Sequence, residues 1–93
     1  MSLPSAGSIF RNPSADVSAG ELIDRAGLKG LRKGGAEVST RHANFIVNKA
    51  DARASDVVAL MEHIQDMVFD RFAVSLEPEV IIIGQEAGSQ ELL

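Results

Sequence analysis

The chain of 93 residues has no cysteine, no tryptophan and no tyrosine, only three prolines, and fewer Lys and Arg (9) than Asp and Glu (13). Without cysteine there is no disulfide, no zinc-thiolate centre and no thiol nucleophile, a composition that fits a reducing compartment. A net charge of −4 argues against a general nucleic-acid binder, which needs a clustered positive field, and the lack of Tyr and Trp removes the best base-stacking platforms. The opening MSLPSAGSIF has neither the basic nor the apolar region of a secretion signal, and the apolar run 80–83 is far too short to span a bilayer. The chain reads as soluble, and a cytoplasmic location is expected.

What is present describes one small domain. At this length folding buries roughly 60 to 65% of the unfolded chain's surface, so a deep cofactor cavity would compete with the core. A short apolar stretch, residues 8–10, reads as a strand that Asn12-Pro13 closes, because Pro13 biases Asn12 away from the α region. In SAGELIDRAGL, Ser18 and Glu21 stand at capping-box spacing, Leu22, Ile23 and Ala26 line one face, and Gly27 occupies the C′ position of a short helix. After the loop KGLRKGG come two strand-like pieces, 36–39 and 44–48, the second of which (NFIVN) reads as a buried strand.

From 55 to 72 the apolar residues Val57, Leu60, Met61, Ile64, Val68 and Phe72 recur at three- and four-residue steps, which predicts an amphipathic helix with Ser55 as N-cap and Asp56 in its first turn. A last strand over 74–83 is interrupted by Pro78. This order predicts an α+β domain: a small mixed or antiparallel sheet with two helices packed on one face.

Several groups admit both a chemical and a plain reading. Gly27, Gly30, Gly34 and Gly35 with Lys29, Arg32 and Lys33 read either as a diphosphate-holding loop or as a helix cap followed by tight turns, and no established phosphate-loop spacing occurs. Glu77 and Glu79, about 6.5 Å apart along a strand, could form an acid/base pair or simply sit in solvent. The apolar run after Glu79 is expected to carry that carboxylate toward the core edge, where desolvation raises a pKa. His42 reads as a loop contact or a surface residue, and His63 as a surface or boundary residue; neither has a partner at metal-ligand spacing, so no metal site is expected. A triad of Ser8, His42 and Glu79 can be drawn, but no nucleophile-elbow motif surrounds Ser8.

Four stretches in order, AGSIFRNP, AGELIDRAGLKG, GGAEVSTRHANFIVN and LEPEV, closely resemble the C-terminal, substrate-binding domain of the UDP-N-acetylenolpyruvoylglucosamine reductases, also called UDP-N-acetylmuramate dehydrogenases. The resemblance runs from about Ser5 to Gly84. It implies an enzyme of peptidoglycan precursor synthesis that uses NADPH and FAD to reduce the enolpyruvyl ether of a UDP-sugar, hydride going to the vinyl carbon and a proton to its neighbour. It implies Ser8 as the proton donor and places Glu79 near the substrate carboxylate, leaving Glu77 without a role. Asn12 resembles a substrate-binding position, and His42 falls where another branch carries a substrate-contacting Gln. Arg11 stands where many relatives have Lys; as an arginine it cannot relay a proton, which leaves it an electrostatic part beside Ser8.

The flavin-binding portion of that family, with its glycine-rich loops and its arginine at the substrate carboxylate, has no counterpart here. The expectation is therefore a C-terminal domain, either excised or the product of a short or split reading frame, with Met1 to Pro4 as leader residues and 85–93 as a frayed tail. Alone it is expected to be inactive and to bind neither FAD nor NADPH. Its partners would be the UDP-sugar and the enzyme's own flavin-binding portion, with self-association through the exposed docking face, and neither nucleic acid nor membrane. Two readings of other classes stand beside this one: a non-catalytic module that holds a diphosphate or a protein through the glycine/lysine loop, and a hydrolase using Glu77 and Glu79.

Overall fold

The computed structural model describes residues 8–79. Within them the order is α1 (Ala19–Arg25), β1 (Arg32–Lys33), β2 (Ala36–Val38), β3 (Ile46–Asn48) and α2 (Ala54–Phe72). The three strands form an antiparallel sheet in the order β1-β2-β3. Of the two sheet types expected, the antiparallel one is present.

α1 follows its punctuation. The Ser18 hydroxyl accepts from the Glu21 amide at 3.0 Å, satisfying one of the first-turn donors that a helix leaves unpaired. At the other end Gly27, with φ +77°, donates to the Asp24 carbonyl while Leu28 donates to that of Ile23, the paired closure that a left-handed residue permits. Leu28 and Ile23 are both buried, so the closure also seals an apolar contact.

The loop KGLRKGG is more regular than expected. Arg32 and Lys33 pair with Glu37 and Ala36, and the chain reverses through Gly34 and Gly35. Gly35 has no room for a side chain, because a Cβ there would overlap the Ala50 carbonyl and the Ala52 amide. Two short paired residues carry no periodic signal, which is why this edge strand reads as loop.

α2 buries Val57, Leu60, Met61, Ile64 and Val68 on one stripe. It packs across β1 and β2 and against α1. Its cap departs from expectation: the helix starts at Ala54 with Arg53 at the N-cap, and Ser55 is exposed in the first turn. The reason lies in Asp56, whose carboxylate accepts from the Arg53 amide at 3.0 Å and thereby sets the first turn two residues earlier than a Ser55 cap would.

The same carboxylate accepts from Gly35 at 3.2 Å, latching the hairpin turn to the helix start. Hydrogen bonds from the Arg53 amide and then the Gly35 amide hold the Asp56 carboxyl below its ordinary value of 3.8, against an opposing desolvation. Because the folded value lies below the unfolded one, this stabilisation is fully present above about pH 4 and is lost as pH falls through the folded value. Asp56→Asn should lower the melting temperature at neutral pH and flatten the acid limb of its pH profile. An acid limb identical to the parent's would refute the latch.

Three further expectations are corrected. NFIVN is not a buried strand: β3 covers only Ile46–Asn48, is half-buried, and stands at the sheet edge, while Asn44 lies in the preceding loop. Residues 8–10 form no strand beyond a single antiparallel bridge between Phe10 and Pro78, flanked by the bonds of Arg11 to the Glu77 carbonyl and of Glu79 to that of Ile9. Pro78 sits at the position of that pairing that needs no amide donor, so it is tolerated there. Glu79 is exposed, as is Glu77, so the expected burial of its carboxylate does not occur. Of the last strand only residues up to 79 are described, and the apolar run 80–83 lies outside the described residues.

The core gathers Ile9 and Phe10, Ile23, Val38, and the buried stripe of α2. Among the described residues no helix is long and apolar enough to cross a membrane, and no group of three or more His, Asp or Glu is placed to hold a metal ion.

Candidate functional site

Three of the residues singled out in the sequence meet at one place. Ser8, Asn12 and His42 line an open cleft of about 540 Å³, together with Lys29, Arg41 and Asn44. Three parts of the chain build it: the stretch ahead of α1, α1 itself with Lys29 beyond its end, and the loop between β2 and β3.

The stretch and the loop are each held by local chemistry. Ile9 and Phe10, at 2% and 1% exposure, anchor the first in the core directly after Ser8, which is itself half-buried. Asn12 turns its Oδ1 to the Ala19 amide at 3.0 Å, so it supports the start of α1, and any contact with a ligand falls to its Nδ2. In the second segment the Ser39 hydroxyl accepts from the amides of Arg41 and His42, both at 3.1 Å, and Phe45 donates to the His42 carbonyl. The exposed His42 ring leans on Phe45 with centroids 5.6 Å apart. The histidine is thus presented by a tightly wound loop.

Arg11 and Glu79 do not line this cleft. Arg11 is exposed, and both are tied to the site through backbone bonds, Arg11 to Glu77 and Glu79 to Ile9, which set Glu79 opposite the residue that follows Ser8. Of the cations that do line the cleft, Lys29 was read in the sequence only as part of the glycine loop and Arg41 was not singled out; Lys29 lies 3.7 Å from Asp24. Asn44 also carried no signal of its own. It sits within HANFIVN as one more residue of a strand-like run, yet it is 9% exposed and bonded to the segment that carries Ser8.

The glycine loop is occupied from within. The Gly35 amide, which an anion would need, donates to Asp56. That amide is therefore not free to bind a diphosphate.

Fold and cleft together define a small α+β domain with one open cleft lined largely by polar side chains. The sequence profile of the family described as UDP-N-acetylenolpyruvoylglucosamine reductase, C-terminal domain, matches residues 1–83, and the chain belongs to that family. It is 62% identical over 81 residues to the UDP-N-acetylenolpyruvoylglucosamine reductase of Desulfosudis oleivorans, covering 87% of this chain and 26% of that protein. The reductase of the same name from Halalkalibacterium halodurans is 51% identical over 82 residues, covering 88% and 27%. Among solved structures, the UDP-N-acetylenolpyruvylglucosamine reductase of Thermus caldophilus superposes with a TM-score of 0.65 at 49% identity, over 81% of this chain and 26% of that one. The chain spans about a quarter of the length of the relatives it matches.

Proposed function

We propose that this chain is the substrate-side, proton-donating domain of a reductase that converts UDP-N-acetylenolpyruvoylglucosamine to UDP-N-acetylmuramate in peptidoglycan synthesis, with FAD and NADPH held by the remaining length of that enzyme. One observation carries the reading: Ser8 and Asn12, from one motif, and His42, from another some thirty residues on, line the same cleft. Within it Ser8 protonates the carbon next to the reduced vinyl position. A serine hydroxyl is a weak acid, so its alkoxide must be stabilised as it forms. Arg41 on the cleft wall supplies positive charge for this, whereas Lys29 is paired with Asp24 on the same wall and Arg11, off the cleft, fills the part less directly. Asn12 and His42 orient the UDP-sugar. Glu79, across the backbone pairing from Ile9, stands toward the substrate carboxylate and shares a proton or cation with it.

The diphosphate-holding module is the weaker reading because the Gly35 amide already serves Asp56. Titrating the chain with a UDP-sugar and, separately, with tripolyphosphate distinguishes the two by amide chemical shifts. Shifts centred on Ser8, Asn12 and His42 with the UDP-sugar alone are expected. Shifts centred on residues 29–35 with both ligands would replace this reading with the module.

A further inference from the structure

The segment 8–12 is held in register by an unusual partner. Phe10 neither donates nor accepts in a strand ladder on its inner side; both of its backbone groups go to one side chain. Asn44 Oδ1 accepts from the Phe10 amide at 3.0 Å, and Asn44 Nδ2 donates to the Phe10 carbonyl at 2.8 Å. The Asn44 carbonyl also accepts from the Ile9 amide at 2.9 Å. Three bonds from one residue thus grip the two positions that follow Ser8, across 34 residues of sequence. Asn44 itself is fixed in the loop that Ser39 and Phe45 close and that presents His42.

We propose that Asn44 is a positioning residue: its carboxamide sets the distance between the Ser8 hydroxyl and the His42 side of the cleft, and so the reach of the proton donor to substrate. This rests on the proton-donor reading of Ser8. The chemistry requires a carboxamide, because the group must accept from an N–H and donate to a C=O of the same residue. An aspartate in its ionised form would set an oxygen against the Phe10 carbonyl; protonated, it regains a donor and can restore the pair. A hydrophobic residue would leave both buried backbone groups unsatisfied.

The test uses a complete reductase carrying this chain as its C-terminal domain. Asn44→Asp at neutral pH should slow reoxidation of the reduced flavin by UDP-N-acetylenolpyruvoylglucosamine by about 10- to 100-fold, the scale of a small misplacement of a reacting group. Reduction of the flavin by NADPH should stay within twofold of the parent, and the substrate KM within threefold. Lowering the pH should recover the rate in Asn44→Asp but not in Asn44→Ala. In the Ser8→Ala background Asn44→Asp should cost no further rate, since there is no hydroxyl left to position. A full multiplicative loss in the double variant, or parental reoxidation in Asn44→Asp at neutral pH, overturns the proposal. If Ser8→Ala alone reoxidises at the parental rate, the underlying proton-donor reading fails first, a distinct result. Because Asn44→Asp keeps the side-chain volume and its low-pH form restores both bonds, the test survives misfolding of Asn44→Ala.

Discussion

Ser8→Ala, in a reductase formed by joining this chain to the flavin-binding portion of a close relative, is expected to slow flavin reoxidation by UDP-N-acetylenolpyruvoylglucosamine by about 10²- to 10⁴-fold, the range supplied by a positioned general acid. Reduction of the flavin by NADPH should be nearly unchanged, because the hydroxyl takes no part in it. The two half-reactions, followed separately by flavin absorbance in stopped flow, make the prediction selective: a general defect in folding or docking would slow both. The substitution is small and tolerable at this place. Ser8 is half-buried and precedes the two core anchors Ile9 and Phe10, which remain to hold the segment. Parental reoxidation in the variant would end the assignment of Ser8 as proton donor.

The largest expected effect on stability is at Gly35. A methyl group there meets the Ala50 carbonyl and the Ala52 amide, which are backbone groups and cannot rotate away as a side chain would. Any relief must come from displacing the turn, and the turn is tied on its other side to Asp56 and, through the Gly35 carbonyl, to the amides of Lys49 and Ala50. Gly35→Ala should therefore cost about 3 kcal/mol or more, at or beyond the upper end for overpacking. For a chain of this size that corresponds to a fall in melting temperature of roughly 12 to 24 °C. A thermal or urea melt within about 0.5 kcal/mol of the parent, the range of an ordinary surface substitution, would show that the turn can yield.

The resemblance that singles out Ser8, Asn12 and His42 is carried by motifs in fixed order, and those three do line one cleft. It also points to Arg11 and Glu79, which lie outside the cleft wall and reach the site only through backbone pairing. Arg41 and Asn44 are on the wall without having been singled out, and Lys29 is there too, which the sequence assigned to a different candidate, the glycine loop. A lysine after a helix cap, an arginine before a histidine and an asparagine at the head of a strand-like run are each ordinary in one dimension. Their common feature is a position in space.

The helices were legible from sequence because their determinants are near neighbours. The stripe of α2 repeats every three or four residues, and the ends of α1 are closed by Ser18 with Glu21 and by Gly27 with Asp24, contacts within one turn. Two of the features that were misjudged have partners far away. The cap of α2 depends on a carboxylate shared with Gly35, 21 residues earlier, and the stretch 8–10 is held by a carboxamide 34 residues later in place of a neighbouring strand. A side chain that replaces a strand leaves no period in the sequence. Local spacing was enough to establish the helices and the α+β class, whereas the latch at Asp56, the grip of Asn44 and the cleft they support exist only where distant segments meet.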